Sequence, residues 1–217
     1  MNETCTIYRD IVNVNWLHSQ KKYELLMLQE FLKYHRIINI LEIGTFRGGT
    51  ALLWAHIVAN SGNGKVYCVD NNFKLGGFIE DGKIYKRQIY NEPEYSRYAK
   101  RIIEIEGNSH LPDFVEHVKS IVSEVSMLFI DGDHSYNGVK LDFYNYKDLV
   151  MNKGFVIFHD IVSSEYLHDD GCFVDVFWNE IKHKYKSWEF IDGNSYKYAP
   201  SNSMGIGVIQ IEEDVQK

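Results

Sequence analysis

Hydrophobic residues follow two patterns along the chain, and each pattern predicts a different kind of secondary structure. Apolar residues at helical spacing predict helices at 20–35, 50–60, 111–122, 136–150 and 173–185. Short, nearly continuous apolar runs predict buried strands at 37–43, 65–69, 101–106, 126–130 and 155–158, followed by two closing strands at 188–191 and 206–211. We expect Gly154 to end the helix that begins at Tyr136. Because strands and helices alternate, the sequence predicts an α/β fold with a parallel sheet covered by helices on both faces.

Polar residues come directly after five of the predicted strands. They lie at 42–44, 70, 107–109, 131–134 and 159–160. The carboxyl ends of parallel strands meet at one edge of a sheet, and ligands of such folds bind there, so we expect a single crevice at this edge. The segments 71–100 and 163–171 also follow strand ends, and we expect one of them to become ordered when a ligand binds. For 71–100, a peripheral helix with a surface loop is the alternative.

Length, charge and cysteine content narrow the class of protein. The 217 residues fit one α/β domain better than two. A net charge of −7 without a block of Lys and Arg disfavours a nucleic-acid partner. No apolar run approaches the roughly 20 residues of a membrane span, and the first ten residues lack a signal pattern. Three isolated cysteines, Cys5, Cys68 and Cys172, argue against disulfides and thiolate zinc sites. We therefore expect a cytoplasmic protein.

A glycine-rich turn follows the first predicted strand, in the segment Leu-Glu-Ile-Gly-Thr-Phe-Arg-Gly-Gly-Thr at 41–50. Its glycines are spaced G-x-x-x-G-G, unlike the G-x-G-x-x-G of dinucleotide-binding turns. Glu42 precedes the first glycine, where a carboxylate would repel a pyrophosphate and attract an ammonium group. The turn therefore favours a cofactor that carries an amino acid over NAD, and a plain strand-to-helix turn is the alternative. Asp70 ends the second strand, where it could accept hydrogen bonds from a ribose diol or be an ordinary turn residue.

The segment Phe-Ile-Asp-Gly-Asp-His-Ser-Tyr at 129–136 places acids and an imidazole after the fourth strand. A calcium loop is excluded because Tyr136 stands where such a loop needs glycine. His134 titrates near neutral pH and could take a proton from a substrate hydroxyl, or it is a structural histidine. Asp131 and Asp160 end neighbouring strands, so they could bind one hard divalent cation. Alternatively, Asp160 caps a loop and His159 packs beside it.

Four segments together resemble the class I S-adenosylmethionine-dependent methyltransferases. They are L-E-I-G-T-F-R-G-G-T, Y-C-V-D, F-I-D-G-D-H-S-Y-N-G-V-K-L-D and V-I-F-H-D-I, and the similarity extends from about residue 20 to 157. The branch they resemble is bacterial and includes cephalosporin-hydroxylase-like proteins and macrolide sugar O-methyltransferases. This resemblance implies a Rossmann-like, doubly wound, seven-stranded sheet that is mostly parallel with an antiparallel last strand. We expect a single domain over 1–217, with an N-terminal helical cap at 1–35 and the core at 36–217.

The resemblance also implies roles for single residues. Glu42, Gly44 and the following turn would hold the methionine part of the cofactor, Asp70 its ribose and Ser109 its adenine. The complete cofactor-binding set is Glu42, Gly44, Thr45, Phe46, Gly48, Gly49, Thr50, Asp70, Asn71, Ser109 and Asp131. The catalytic residues would be His134 and Asp131, and the metal ligands Asp131, His159 and Asp160. Related catechol- and caffeoyl-type enzymes have a lysine base where His134 stands and an Asp-Asn pair where His159 and Asp160 stand. His159 is a poorer magnesium ligand than a carboxylate.

The predicted function is methyl transfer from S-adenosylmethionine to a hydroxyl of a sugar or small secondary metabolite, with Mg²⁺ as an optional cofactor. The alternatives are an N-methyltransferase and a non-catalytic S-adenosylmethionine-binding module of the same fold. The glycine spacing and Glu42 disfavour an NAD-dependent oxidoreductase. We expect a small-molecule acceptor, no nucleic-acid or membrane partner, and either a monomer or a homodimer.

Overall fold

Buried apolar strands form the centre of the molecule, and the helices cover them. The computed structural model describes residues 20–71, 78–80, 83–85, 90, 93, 95–193 and 204–212. The helices are α1 Lys22–Leu32, α2 Gly49–Ser61, α3 Ser96–Ala99, α4 Pro112–Ile121, α5 Tyr136–Tyr146, α6 Glu165–Asp169 and α7 Val174–Ile181. The strands are β1 Ile40–Ile43, β2 Val66–Asp70, β3 Phe78–Glu80, β4 Lys83–Tyr85, β5 Ile102–Glu106, β6 Val125–Ile130, β7 Val150–His159, β8 Lys186–Phe190 and β9 Ile206–Gln210.

Seven of these strands form one sheet in the order β5-β2-β1-β6-β7-β9-β8. Neighbouring strands from β5 to β7 are parallel, and β9 runs antiparallel to both β7 and β8. The predicted seven-stranded, mostly parallel sheet with an antiparallel last strand is therefore confirmed. The strand order reverses between β1 and β6, and this switch point opens a crevice beyond their carboxyl ends. A separate hairpin is formed by β3 and β4.

Side chains of the central strands alternate between two hydrophobic cores, one on each face of the sheet. Met127 and Phe129 of β6 point into the core that α1 and α2 cover. Leu128 and Ile130 point into the opposite core, which α4, α5 and α7 cover. All six residues of β6 are buried, which explains why five of them are apolar, and the hydroxyl of the sixth, Ser126, is hydrogen-bonded to the backbone of Ile38 and Asn39.

The prediction that the helix starting at Tyr136 continues to Val150 and ends at Gly154 is wrong. The helix ends at Tyr146, and Gly154 lies inside the ten-residue strand β7. The pairing of β7 with β6 changes register between Val125 and Met127, and Lys153 has a left-handed φ of 64° at this bulge. A Cβ on Gly154 would lie 2.7 Å from the Val150 side chain. Gly154 therefore marks a β-bulge and not a helix end.

The structure describes only residues 20–35 of the predicted N-terminal cap at 1–35. Residues 1–19 lie outside the described residues, as does half of 71–100, so the predictions for those segments stay predictions. Helix α1 packs on the sheet through Leu25, Leu28 and Leu32. Within the described ranges, no helix is both long and apolar enough to cross a membrane.

Candidate active site

Two adjoining cavities open at the carboxyl ends of the strands. The first has a volume of about 440 Å³ and lies over the ends of β1, β2, β5 and β6. The second, of about 410 Å³, lies between the ends of β1, β6 and β7 and helix α6. Both are lined by Gly44, Phe46, Asp131 and Gly132, so a molecule in one cavity can reach a molecule in the other.

The glycine turn after β1 separates the two cavities, and its backbone is built for close contact. Gly44 has a φ of 85°, and a Cβ on this residue would lie 2.1 Å from the carbonyl oxygen of Asp131. Gly48 has a φ of 79° and precedes the first residue of α2. The Tyr90 hydroxyl donates a hydrogen bond to the Gly48 carbonyl at 3.1 Å. Glycine is required at Gly44 because both the left-handed backbone and the neighbouring strand end exclude a side chain.

Asp70, at the end of β2, ties the turn to the second strand. Its Oδ2 accepts hydrogen bonds from the backbone amides of Thr45 at 3.0 Å and Phe46 at 2.8 Å. Asp70 and Asn71 both line the first cavity. The predicted ribose ligand therefore lies in the cavity and also fixes the conformation of the turn.

Glu42 lies beneath the turn instead of at its surface. Its side chain is fully buried, and its carboxylate accepts hydrogen bonds from Trp54 Nε1 at 2.8 Å and Cys68 Sγ at 3.5 Å. Burial raises the pKa of Glu42 to about 7, against hydrogen bonds from Thr50, Thr45, Trp54 and Cys68 that favour the charged form. Glu42 lines neither cavity, so its direct contact with a cofactor ammonium stays a prediction.

The other predicted cofactor residues divide between the two cavities and the helix start. Phe46 lines both cavities, and Thr45 and Thr50 line the second. Gly49 is the buried first residue of α2 and lines neither cavity. Ser109 lines the first cavity, and its carbonyl accepts hydrogen bonds that hold the loop after β5 in place.

Two acids and two histidines meet at the ends of β6 and β7. The Nδ1 atom of His159 lies 3.3 Å from Oδ1 of Asp131 and 3.3 Å from Oδ2 of Asp160. His134 contacts the same two oxygens, with Nε2 3.2 Å from Asp131 and Nδ1 3.4 Å from Asp160. His159 and Asp160 are buried, whereas the side chain of His134 is 41% exposed and lines the second cavity. The structure thus brings together the predicted catalytic and metal-binding residues.

The charges in this cluster shift the pKa values of Asp131, His134 and His159. Burial disfavours the charged forms of these three groups, but the opposite charges beside them outweigh it. The pKa of Asp131 is lowered by His159 and His134, and the pKa of His159 is raised well above its usual value by Asp160 and Asp131. Contacts with Asp131, Cys172 and Asp160 likewise raise the pKa of His134 to about 12. The prediction that His134 titrates near neutral pH is therefore wrong for this arrangement, because both acids stabilise the imidazolium.

The donor atoms of this cluster fit a divalent cation. Oxygen atoms of Asp131 and Asp160 and a ring nitrogen of His159 lie within 4.8 Å of one another. The ring nitrogens of His159 are buried and make no hydrogen bond of normal geometry with any described residue. Asp160 has a left-handed φ of 61°, a conformation that non-glycine residues adopt at some energetic cost and often at functional sites. His134, Asp160 and Cys172 form a second, overlapping group of donors.

Several residues at the site were not predicted from the sequence. Gln20, just before α1, donates a hydrogen bond from Nε2 to Oδ2 of Asp131 at 2.6 Å. His110 lines the first cavity, and its Nε2 lies 3.2 Å from Oδ1 of the fully buried Asp142. Cys172 lines the second cavity. His110 follows β5 closely, so it could have been predicted from the expectation that ligands bind at the carboxyl ends of the strands. No such sequence pattern indicates Gln20 or Cys172.

Comparisons with known proteins agree with this geometry. A family model described as a methyltransferase domain matches residues 41–161. No curated protein matches the chain. Among solved structures, an O-methyltransferase from Bacillus cereus in complex with S-adenosylhomocysteine is similar, with a TM-score of 0.61 and 16% identity over 98% of this chain and 92% of that chain.

Two further solved structures come from biosynthetic pathways. TomG from Streptomyces achromogenes, an O-methyltransferase involved in tomaymycin synthesis and solved with S-adenosylmethionine, gives a TM-score of 0.59 and 13% identity over 98% of this chain and 91% of that chain. The other is MycE, a methyltransferase from the mycinamycin pathway, solved in complex with Mg, S-adenosylhomocysteine and mycinamycin VI. Its TM-score is 0.55 and its sequence identity 14%, over 99% of this chain and 55% of that chain. At these identities the likeness shows a shared fold.

Proposed function

Because this chain belongs to the methyltransferase-domain family, we propose that it transfers the methyl group of S-adenosylmethionine to a hydroxyl oxygen of a small molecule. One observation carries the proposal: the glycine turn and Asp70 line a cavity that opens directly into a second cavity containing acids and histidines. A cofactor and an acceptor would meet at the shared wall of Gly44 and Asp131. Holding two reactants in a reactive geometry makes a bimolecular step effectively unimolecular, which lowers its barrier.

The first cavity is the proposed cofactor site. The turn at Gly44 would hold the methionine part, Asp70 the ribose, and the loop with Ser109 and His110 the adenine. The carboxylate of buried Asp142, beside the imidazole, raises the pKa of His110 at this end of the cavity. The negative charge that Glu42 acquires above its pKa lies under the turn and favours a cationic cofactor above it.

The second cavity is the proposed acceptor site. Tyr166 and Leu167 of α6 offer apolar surface, and Arg47 and Asp170 offer polar groups, a combination suited to a hydroxylated organic molecule. We propose a sugar or secondary-metabolite hydroxyl as the acceptor, in keeping with the pathway named for MycE. The segment 163–171, which contains α6, would close over the bound acceptor and exclude water.

His134 is the proposed base for the acceptor proton. It is the most exposed of the four clustered side chains, and it lines the second cavity. In the cluster alone, Asp131 and Asp160 keep His134 protonated, so its action as a base requires that another positive charge balance these acids. Asp131, His159 and Asp160 would hold a divalent cation. When bound, such an ion supplies that charge and lowers the pKa of a nearby hydroxyl.

Ligand binding and turnover test this function in sequence. Calorimetry with S-adenosylhomocysteine and, separately, with NAD⁺ should detect binding of the first compound only. Transfer of a labelled methyl group from S-adenosylmethionine is then measured with hydroxylated and amine-bearing acceptors, in EDTA and with added Mg²⁺. Methylation of amines alone would replace the proposal by N-methylation, and cofactor binding without transfer to any acceptor would favour a non-catalytic module. The cap at 1–35 and a homodimer remain proposals, which truncation and light scattering would test.

A further inference from the structure

The imidazole ring of His159 lies between the two carboxylates of the proposed cation site. Its Nδ1, at the end of strand β7, lies 3.3 Å from a carboxylate oxygen of Asp131 and 3.3 Å from one of Asp160. The ring is only 3% exposed, so it has no path by which to swing into solvent without repacking. Any cation that reaches both Asp131 and Asp160 must therefore lie against an imidazole nitrogen.

The spacing of the donors is that of neighbouring ligands around one metal ion. Ligand bonds of about 2.0–2.2 Å at right angles separate adjacent donor atoms by about 3 Å. The measured separations between the imidazoles and the carboxylates are 3.2–3.4 Å. The two separations that involve His159, both 3.3 Å, are not hydrogen bonds of normal geometry within the described part of the chain.

The chemistry of these donors departs from that of a magnesium site. Mg²⁺ prefers oxygen ligands, whereas imidazole nitrogen suits first-row transition metals. The nearby donor group of His134, Asp160 and Cys172 adds another imidazole and a thiol, which is softer still. Neither an imidazole nor a thiol is a donor that Mg²⁺ selects.

We propose that Asp131, His159 and Asp160 form a mixed nitrogen and oxygen site that selects a first-row transition-metal ion over Mg²⁺. The inference rests on the proposed function only in using the same cluster, because it concerns ion binding and not methyl transfer. His159 is the residue that sets the selectivity. A carboxylate in its place would restore an all-oxygen site.

The test compares ion binding by the wild type and His159→Asp. Dissociation constants for Mg²⁺ and Co²⁺ are measured by calorimetry on protein freed of metal. Even all-oxygen sites bind transition ions more tightly, so the informative quantity is the ratio of the two constants. The dissociation constant for Mg²⁺ divided by that for Co²⁺ should fall about tenfold or more in His159→Asp, because the variant loses its preference for Co²⁺. The exposed His117 provides the matched control, since His117→Asp should leave the ratio unchanged.

A spectroscopic measurement on the wild type keeps the test independent of how well the variant folds. Pulsed electron paramagnetic resonance of bound Mn²⁺ should show coupling to a ¹⁴N nucleus, and the coupling should disappear in folded His159→Asp. Coupling that persists in the variant would assign the nitrogen to His134 and overturn the role of His159. A wild type that binds neither ion, or binds Mn²⁺ without nitrogen coupling, would overturn the site itself.

The same samples separate this inference from the proposed function. Nitrogen-coupled Mn²⁺ in a protein that transfers no methyl group would leave the inference standing and remove the function. Methyl transfer that is insensitive to EDTA, in a protein that binds no divalent ion, would leave the function standing and remove the inference.

Discussion

The two cavities share Gly44 and Asp131, yet their walls are held by different forces. On the cofactor side, hydrogen bonds of normal geometry hold the glycine turn: Asp70 accepts two backbone amides, and buried Glu42 accepts the indole N–H of Trp54. On the acceptor side, charged groups face one another at 3.2–3.4 Å, and the ring nitrogens of His159 make no normal hydrogen bond with described residues.

This difference separates a pre-organised binding site from a site that is incomplete without a ligand. Hydrogen-bonded walls keep their shape whether or not a ligand is present, and each lost bond costs a modest, local amount. A cluster of buried charges is different, because removing one member leaves another charge without compensation. Substitutions on the cofactor side should therefore change affinity at a modest cost in stability, whereas substitutions in the charged cluster should change turnover and cost more stability.

The largest expected effect comes from the acceptor side. His134→Ala should lower turnover about 10²–10⁴-fold, the usual contribution of a general base, while the dissociation constant for S-adenosylhomocysteine stays within about threefold. Steady-state kinetics and calorimetry on the same preparation measure the two quantities. His117→Ala, at an exposed position of helix α4, is the matched histidine control. If turnover is retained in His134→Ala, the histidine is structural and the base lies elsewhere.

The second effect acts where the two cavities meet. Gly44→Ala would place a methyl group 2.1 Å from the Asp131 carbonyl in a left-handed backbone. Gly171 has a similar φ of 81°, but no described heavy atom lies within 4 Å of the place that its Cβ would take, so Gly171→Ala isolates the backbone cost of about 1–2 kcal/mol. Gly44→Ala should lower the free energy of unfolding by about 1–3 kcal/mol more, because the strand end must shift. Urea unfolding of both variants gives the difference; equal losses would mean that the contact yields easily.

The sheet and the turn could be predicted because their signals are local. The buried run at Ile40–Ile43, the glycines after it and the acid at the end of β2 follow directly from strand burial and from where ligands bind in parallel sheets. The bulge at Gly154 could not be predicted, because it depends on the register with which β7 pairs with β6. Polar residues before a glycine resemble a helix end when only the sequence is considered.

The burial and the pKa shifts of the site residues could not be predicted from the local sequence pattern either. Glu42 is buried because Trp54, twelve residues later, closes over it. The pKa of His134 is set by Asp131 and Asp160, and only one of these is near it in sequence. Gln20 and Asp131 are 111 residues apart in the sequence, and no motif predicts their hydrogen bond. Residue types at strand ends indicate which groups meet, but their protonation depends on distances that only the fold supplies.

Burial of Glu42 makes a prediction about pH on the cofactor side. The unfolded group ionises near 4.5 and the folded group near 7, so the folded state favours the neutral form and loses stability as the pH rises between these values. At about 1.4 kcal/mol per pKa unit the full loss is about 3 kcal/mol. Glu42→Gln cannot ionise and should lack this loss. Urea unfolding of both proteins at pH 5 and pH 8 measures it, and parallel changes in the two proteins would contradict a raised pKa.

The smallest expected effect tests whether the cofactor side is held by hydrogen bonds alone. Asp70→Ala removes the acceptor for the amides of Thr45 and Phe46 and the proposed ribose ligand, and should weaken S-adenosylhomocysteine binding by about 1–3 kcal/mol. Glu106 ends the neighbouring strand β5 without lining either cavity, so Glu106→Ala controls for the loss of a strand-end charge. Calorimetry gives the affinities. Because the Asp70 side chain lines the first cavity and not the second, turnover at saturating cofactor should change little. A large fall in turnover with unchanged affinity would show that Asp70 positions the reacting methyl group, and the two sides would then be coupled through the turn.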